Sequence, residues 1–384
     1  MAFPTVFSQV VKLIPRTEFE SIVAKYGADK GVRMLNHWTW FEALLFGQLT
    51  GHDSIRAIER VFSHGDSEMA KLGLGPVRRS TLAEANHNRD LRVLEDLFSF
   101  CLGHAQRLAP NKVGFRFAGQ VLAMDSTTIE LCLELSPWAK FHHGKGAVKL
   151  HTAIDIAGDL PQFAVVTPGN HHDMRVARKH AHFAPGTTVV FYKAYIDYSW
   201  LNELNKNGVW FVTRMKDNCQ YNVLECRETN RTRGVICDQV IRFKSYRGRE
   251  YEEKLRKVSY RDPDTGIRYT FMTNRWDLAA KTIADLYRAR WKVELFFRTL
   301  KQHLRIKKFL GTSYRSVKAQ ILVALIAYLL VQVLRFSLKS NISMPDAMAV
   351  LGTLILLKQP VSMLLGKLPR VTRHPCGSQM VLNL

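Results

Sequence analysis

Four residues on one predicted helix have the types and the spacing needed for chemistry at a phosphate group. Tyr287, Arg290, Glu294 and Lys301 follow one another at intervals of three, four and seven residues. At about 100° per residue, these positions fall within roughly 60° of one another on a helix. The helix would therefore carry a single carboxylate among cations along one edge. Such an edge suits a site that holds a divalent metal ion and a phosphate together.

The segment that contains these four residues has the pattern of a buried helix. Residues 287–301 include no proline and no glycine. Apolar residues recur every three or four positions next to the charged edge, at Leu286, Ala289, Val293, Phe297, Leu300 and Leu304. This periodicity predicts one helix over residues 287–301, with its apolar stripe packed against the protein and the charged edge beside that stripe.

A second carboxylate that could complete a metal site is Asp125. The run GQVLAMDSTTIEL predicts a β-strand that ends at Asp125, where polar residues begin. A strand end would fix the backbone and let the carboxylate face a cleft. Each acid also has a simpler interpretation, Asp125 as a turn cap and Glu294 as a surface partner of Arg290 or Arg298. Their combination favours metal binding, since the sheet would have to pack on the apolar face of the helix.

The overall charge indicates a polyanionic partner. The 384 residues carry a formal net charge of +22, with a pI near 9.9. This balance favours nucleic acid first and an anionic membrane surface second. The six cysteines include no C-x-x-C pair, which argues against a zinc ribbon. The N-terminal sequence lacks a signal peptide pattern, and the most apolar run, residues 321–334, is shorter than the ~20 residues of a membrane span. We therefore predict a cytoplasmic protein with no membrane partner.

Several other residues could contact DNA. Arg214 and Lys216, at the end of the predicted strand VWFVTRMKDN, are expected to bind phosphates. Trp291 could stack on an unpaired base or belong to the core. Residues 171–173 could bind a metal or form a polar loop. A basic patch next to the predicted sheet could also touch DNA, through His142, His143, Lys145 and Lys149.

Changes in composition along the chain predict five segments. Residues 1–112 read as short helices, which would form either a DNA-binding domain or a plain helical bundle. Residues 113–216 contain three adjacent strands followed by a strand, a helix and a strand, the order of an α/β domain with a mixed sheet. Residues 217–273 form a β-rich insertion, and residues 274–340 return to helices that complete the core. Residues 341–384 are expected to be a helical C-terminal region with a loose tail.

The motifs resemble those of a known family. YRARWKVELFFRTLK matches the Y-x2-R-x3-E-x6-K signature of bacterial insertion-sequence transposases of the IS-four family, and AMDSTTIEL resembles the segment around their first catalytic Asp. FVTRMKDN and FMTNRWDL are similar to the flanks of the family's β-strand insertion. The resemblance runs from about residue 5 to residue 355. It implies a DDE transposase with an RNase H-like core, a mixed sheet interrupted by the β-rich insertion.

The resemblance also implies a mechanism and a set of partners. Asp125 and Glu294 would be two of three acids that bind two divalent ions, Mg²⁺ or Mn²⁺, for DNA strand cleavage and transfer. The resemblance implies that Tyr287, Arg290 and Lys301 hold the DNA backbone. With the residues singled out from the sequence itself, the expected DNA-binding set also includes Arg298, Trp291, Arg214 and Lys216. The partners would be the inverted-repeat ends of the transposon, target DNA and a second copy of the chain in a synaptic dimer. The protein would be associated with the bacterial nucleoid.

One position departs from the family pattern. The second Asp normally follows an apolar strand, and here that place reads VVFYKAYIDY, with Tyr192 where Asp is expected. A neutral phenol is a poor ligand for Mg²⁺. Asp197, five residues on, could act as a substitute. Two hypotheses follow: a transposase whose catalysis is impaired or rescued by Asp197, and a relic that binds transposon ends without cutting them.

Overall fold

The computed structural model describes residues 4–64, 77–110, 119–141, 145–229, 231–304 and 308–366, together with the single positions 115, 117 and 306. His142 and His143 of the predicted basic patch lie outside the described residues, as does the predicted C-terminal tail beyond residue 366.

The N-terminal part is helical, as predicted. Its described residues form the helices α1 (Val6–Val11), α2 (Arg16–Lys25), α3 (His37–Thr50), α4 (Ile55–His64), α5 (Arg79–Asn88) and α6 (Arg92–Leu108). Local sequence explains the ends of α3. The side chain of Asn36 accepts a hydrogen bond from the amide of Thr39, and Gly51 ends the helix at a positive φ of 70°.

The centre of the molecule is a nine-stranded mixed sheet. Five strands form its first half: β1 (Val121–Leu131), β2 (Gly146–Asp155), β3 (Leu160–Pro168), β4 (Thr188–Phe191) and β5 (Trp210–Arg214). They lie in the order β3-β2-β1-β4-β5, in which β1, β4 and β5 are parallel and β2 is antiparallel to both of its neighbours. This arrangement is that of an RNase H-like core, so the predicted α/β fold class is confirmed.

The predicted β-rich segment continues the same sheet. Its strands are β6 (Tyr221–Arg227), β7 (Val235–Phe243), β8 (Leu255–Arg261) and β9 (Arg268–Thr273). They add to β5 in the order β9-β8-β7-β6, and β9 pairs antiparallel with β5. Residues in this segment therefore extend one edge of the sheet, and β6 forms the outer strand.

Helices cover both faces of the sheet. α7 (Asp173–His180) and α8 (Tyr198–Lys206) lie on one face, with the core that contains Met124 and Phe191. α9 (Ala280–Ala289), α10 (Trp291–Gln302) and α11 (Tyr314–Ser337) lie on the other face, in the core that also takes in the N-terminal helices. The chain then forms α12 (Met344–Leu354) and α13 (Val361–Leu365). The division into five domains stays a prediction.

Helix α11 is longer than the apolar run suggested. It has 24 residues and a mean hydropathy of 2.1 in its most apolar stretch, which is long and apolar enough to cross a membrane. However, 94% of that stretch is buried inside the protein. α11 packs against α3 and α6 and is the central helix of the larger core.

Glu42 is a buried acid in α3 that makes stability depend on pH. Its side chain is 6% exposed, and its Oε2 atom has no hydrogen-bond partner among the described residues. Burial raises the pKa of Glu42 from 4.5 to about 7, and Trp38 and Arg16 oppose the rise only in part. Because the pKa of Glu42 is higher in the folded state than in the unfolded state, protonated Glu42 stabilises the fold. This stabilisation is complete below the unfolded-state pKa. It is lost as the pH rises through about 7.

Replacing Glu42 by Gln is expected to remove most of this pH dependence. At pH 8 the variant should have a free energy of unfolding about 2 kcal/mol above that of the native chain, whereas at pH 5 the two should differ little. Denaturant unfolding at both pH values measures the effect. Glu84→Gln, at an exposed acid of α5, is the control. Parallel pH profiles for the native chain and Glu42→Gln would show that Glu42 does not carry the effect.

Candidate active site

Asp125 lies where the ladder between β1 and β4 stops. The prediction that its strand ends there is wrong, because β1 continues to Leu131. The neighbouring strand β4 is the one that ends: its last residue, Phe191, pairs with Met124. Asp125 therefore lies one residue beyond the paired region, at an open rim of the sheet. Tyr192 is the next residue on the β4 side of that rim.

Strand periodicity places Asp125 and Tyr192 on the same face. Successive side chains of a strand point to opposite faces. Ala123 and Val190 belong to the core that contains α9–α11, whereas Met124 and Phe191 belong to the other core. Asp125 and Tyr192 continue the first set, and thus face α10. The sequence position expected for the second Asp is a neighbour of Asp125 in the structure.

Arg290 joins the two predicted metal-binding acids. The segment expected to form one helix is divided at Arg290, which follows the end of α9 and precedes α10. Its Nη1 atom lies 3.0 Å from Oδ2 of Asp125, and its Nη2 atom lies 2.7 Å from Oε1 of Glu294. One guanidinium thus bridges a strand residue and a helix residue that are 169 positions apart in sequence. The two carboxylates converge on one cation. Their assignment as metal ligands stays a prediction.

Burial and neighbouring charges shift the pKa values of Asp125 and Arg290. Burial raises the pKa of Asp125 to about 6, and nearby Glu294 and Asp173 add to the rise, whereas the Ser126 amide and Arg290 oppose it. Burial also disfavours the charged form of Arg290, yet neighbouring Tyr287, Asp125 and Glu294 leave its pKa raised. The buried Nε atom of Arg290 has no partner in the described part of the chain.

The acids at this rim fit one metal ion better than two. Asp125 and Glu294 supply the carboxylate oxygens that Mg²⁺ prefers, and both already contact a common cation. The position expected for the remaining acid holds Tyr192, which has no carboxylate. Among the described residues, no group of three His, Cys, Asp or Glu side chains could hold a metal ion. The described acids therefore lack the third ligand that a two-ion site needs.

A cleft beside the two acids holds further predicted DNA-binding residues. Its volume is about 320 Å³, and its lining includes Asp125, Glu294, Arg298 and Lys301. The Nζ atom of Lys301 donates to the carbonyl oxygen of Thr128 at 2.8 Å, which fixes the lysine against β1. α10 thus presents Arg298 and Lys301 next to the carboxylates, and their contact with DNA stays a prediction.

A second cavity of about 350 Å³ lies on the other side of Arg290. Tyr192, Arg214, Tyr287 and Trp291 are among its lining residues. Trp291 is 50% exposed, so it is a surface residue and not part of the core. Lys216 lies apart from this group and donates to the carbonyl oxygen of Ile196 at 3.4 Å.

Asp197 has a structural role that the sequence analysis did not anticipate. It is the N-cap of α8, where its carboxylate accepts from the Trp200 amide at 3.0 Å. The same oxygen atom pairs with Arg178 and accepts from Ser199. Among the described contacts of Asp197, none reaches Asp125 or Glu294. This geometry argues against Asp197 as the substitute for the missing acid.

Replacing Asp197 by Ala is expected to lower the free energy of unfolding by about 1–2 kcal/mol, since a helix cap is lost. Asp197→Ser keeps a capping oxygen and should recover most of that loss in a denaturant titration. Serine cannot replace a carboxylate as a metal ligand. A stable Asp197→Ser variant that lost metal-dependent DNA cleavage would show that Asp197 does belong to the active site.

A polar cluster behind Asp125 was not predicted. Ser126 points to the opposite face from Asp125, and its Oγ atom donates to Oδ1 of Asp173 at 3.0 Å. Lys149 donates to the same oxygen atom at 3.1 Å, and Nδ1 of His151 is 3.6 Å away. Asp173 begins α7, where the sequence analysis left a metal ligand or a polar loop open. The pairing of β1 with β2, which brings Ser126 opposite His151, has no local sequence signal.

Comparison with known proteins decides the family. Residues 116–330, more than half of the chain, match the family model described as a transposase DDE domain. The chain belongs to the DDE transposases. These are enzymes that cut DNA and transfer its strands. The reaction expected at the rim of the sheet is therefore the cleavage and transfer of phosphodiester bonds. Membership in the narrower IS-four family stays a prediction.

Relatives of this transposase come from several bacteria. The putative transposase y4zB of Sinorhizobium fredii is 33% identical over 266 residues, which cover 68% of this chain and 72% of the relative. The probable transposase for insertion sequence element IS5377 of Geobacillus stearothermophilus is 29% identical over 295 residues, 71% of each chain. The chain is thus a transposase of the bacterial insertion-sequence type.

A second family model and a solved structure also match the chain. Residues 3–74 match a domain of unknown function, DUF4372, so the expected DNA contact of the N-terminal helices of this transposase stays a prediction. A solved structure, the piggyBac transposase in a synaptic complex with hairpin DNA, is similar over 83% of this chain and 70% of its own chain. Its TM-score is 0.43 and its sequence identity is 11%.

Proposed function

We propose that this transposase binds the inverted-repeat ends of its insertion sequence and that its own cleavage of DNA is impaired at Tyr192. The observation that supports the impairment is the position of Tyr192, next to Asp125 at the rim of the sheet and on the same face. Asp125 and Glu294 would hold one divalent ion, Mg²⁺ or Mn²⁺. Bound there, such an ion would activate the attacking oxygen and polarise the scissile phosphodiester.

The residues around these acids have separate roles in the proposal. Arg290 neutralises the carboxylates in the free protein, where it pairs with both Asp125 and Glu294. Arg298 and Lys301 line the cleft beside Asp125, where they would bind the DNA backbone. Tyr287, Trp291 and Arg214 would contact DNA on the other side of Arg290. Lys216 would contribute only through long-range charge, because it lies apart from them.

A second function remains consistent with the same residues. A chain that keeps its cations and lacks the third acid could bind transposon ends without cutting them. We propose that it does so as a dimer in a synaptic complex, in the bacterial cytoplasm at the nucleoid. The charge of +22 supports a nucleic-acid partner in either case.

DNA binding without cleavage can be tested directly. The probe is a labelled duplex that carries the inverted repeat flanking the coding sequence, compared with a duplex of scrambled sequence. We expect the native chain to bind the repeat more tightly and to leave it uncut in Mg²⁺. Equal affinity for both duplexes would overturn the proposed recognition of ends, and efficient cutting would overturn the proposed impairment.

A further inference from the structure

Helix α7 carries two exposed cationic side chains, Arg175 and Lys179, on the face of the sheet opposite to α10. We call these two residues the α7 stripe. Their spacing of four residues places them along one side of the helix. The other side packs onto the sheet through the buried residues Met174, Val176 and Ala177.

The stripe is not neutralised within the protein. Arg178, on the same helix, pairs with Asp197 and Glu203, and Asp173 is paired with Lys149. By contrast, Arg175 and Lys179 form no ion pair with any described residue. Like charges four residues apart on a helix are mutually destabilising by a few tenths of a kcal/mol. An anionic partner would remove this repulsion.

The stripe begins next to the active-site rim. Asp173, the first residue of α7, accepts from Ser126, which directly follows Asp125. Lys149 on β2 holds the same carboxylate at 3.1 Å. These two bonds fix the start of α7 against β1. The α7 stripe and the cations of α10 therefore approach the same rim from opposite faces of the sheet.

We propose that the α7 stripe binds the phosphate backbone of a second DNA duplex segment, distinct from the transposon end that α10 holds. This inference rests on the proposed function of the site. Arg175 and Lys179 are separated by about 6 Å along the helix axis. Over that length, B-DNA carries roughly three to four phosphate charges. Backbone contacts of this kind carry no sequence information, which suits target DNA.

The test compares the Arg175→Gln/Lys179→Gln variant with the native chain on two labelled duplexes. One is a 40-base-pair duplex of arbitrary sequence, and the other carries the inverted repeat and ends at its terminal base pair. On the arbitrary duplex, the variant should bind about tenfold more weakly near 0.15 M KCl. The slope of log affinity against log salt should fall by about 1.8, because two phosphate contacts are lost. Binding to the blunt inverted-repeat duplex should change less than twofold.

A matched control removes the same charge elsewhere. Lys254→Gln/Lys339→Gln changes two exposed lysines outside the segments expected to hold DNA and should leave both affinities within twofold. An unchanged slope for Arg175→Gln/Lys179→Gln would overturn the proposal. Equal weakening on both duplexes would also overturn it, since the stripe would then hold the transposon end. A different result would contradict the proposed function: the native chain would bind the inverted repeat and a scrambled duplex with equal affinity.

Discussion

Replacing Tyr192 by Asp is expected to raise Mg²⁺-dependent cleavage of a transposon-end duplex by on the order of a thousandfold or more. The physical reason is the number of carboxylates at the rim. Tyr192 follows β4 at the position beside Asp125 and faces the same helix, so an Asp there adds a third oxygen ligand set. The measurement is single-turnover cleavage of an end-labelled duplex with excess protein.

Two controls separate charge from bulk in this experiment. Tyr192→Asn is close to Asp in size and neutral, and it should leave cleavage at the native level. Tyr192→Phe removes only the hydroxyl group and should also give no gain. If Tyr192→Asn restored cleavage as well as Tyr192→Asp, the impairment would be caused by the bulk of the aromatic ring. The absence of a carboxylate would then not be its cause. If the native chain cut as fast as Tyr192→Asp, the proposed impairment would be wrong.

In the Tyr192→Asp background, replacing Glu294 by Gln is expected to reduce cleavage again by on the order of a thousandfold. Glu294 and Asp125 share one guanidinium, so their oxygen atoms lie around a common point where a metal ion would replace Arg290. The amide of Gln keeps the size of the side chain and loses its charge. Affinity for the uncut inverted-repeat duplex should change little, because the cations Arg298 and Lys301 are untouched.

Glu130→Gln is the matched control for the loss of an acid. Glu130 is an exposed residue of the same strand as Asp125 and lines neither cavity at the rim. Its replacement in the Tyr192→Asp background should leave cleavage within twofold. Retained cleavage in the Glu294→Gln variant would contradict the assignment of Glu294 as a metal ligand.

Much of the architecture could be predicted because its signals are local or belong to the family motif. The 3-4 spacing of apolar residues predicted a buried helix beside a charged edge, and the helices carry Glu294, Arg298 and Lys301 as expected. The order of strands and helices predicted a mixed sheet, which the structure confirms. The convergence of Asp125 and Glu294 followed from the need to cover the apolar face of that helix.

Other features depend on contacts between distant segments. The predicted end of β1 at Asp125 was wrong, because it is β4 that ends beside Asp125. The sequence of one strand does not indicate the length of the strand that pairs with it. The division of the helix at Arg290 has no proline or glycine to mark it. Its guanidinium reaches Asp125 only once the sheet and the helix have packed together.

The role of Asp197 could have been recognised from local sequence. Asp is a preferred N-cap, and a helical segment with buried Trp200, Leu201 and Leu204 follows it directly. Asp173 is different, because its partners Ser126 and Lys149 lie on β1 and β2. Their convergence depends on sheet register, which sequence reasoning on one chain does not supply.

The most direct test of the account is Mn²⁺ binding, followed by electron paramagnetic resonance in the absence of DNA. The account predicts that Tyr192→Asp binds Mn²⁺ at least tenfold more tightly than the native chain and that adding Asp125→Asn removes this gain. Mn²⁺ binding by the native chain as tight as that by Tyr192→Asp, or a gain that survives Asp125→Asn, would contradict a metal site that is incomplete at Tyr192.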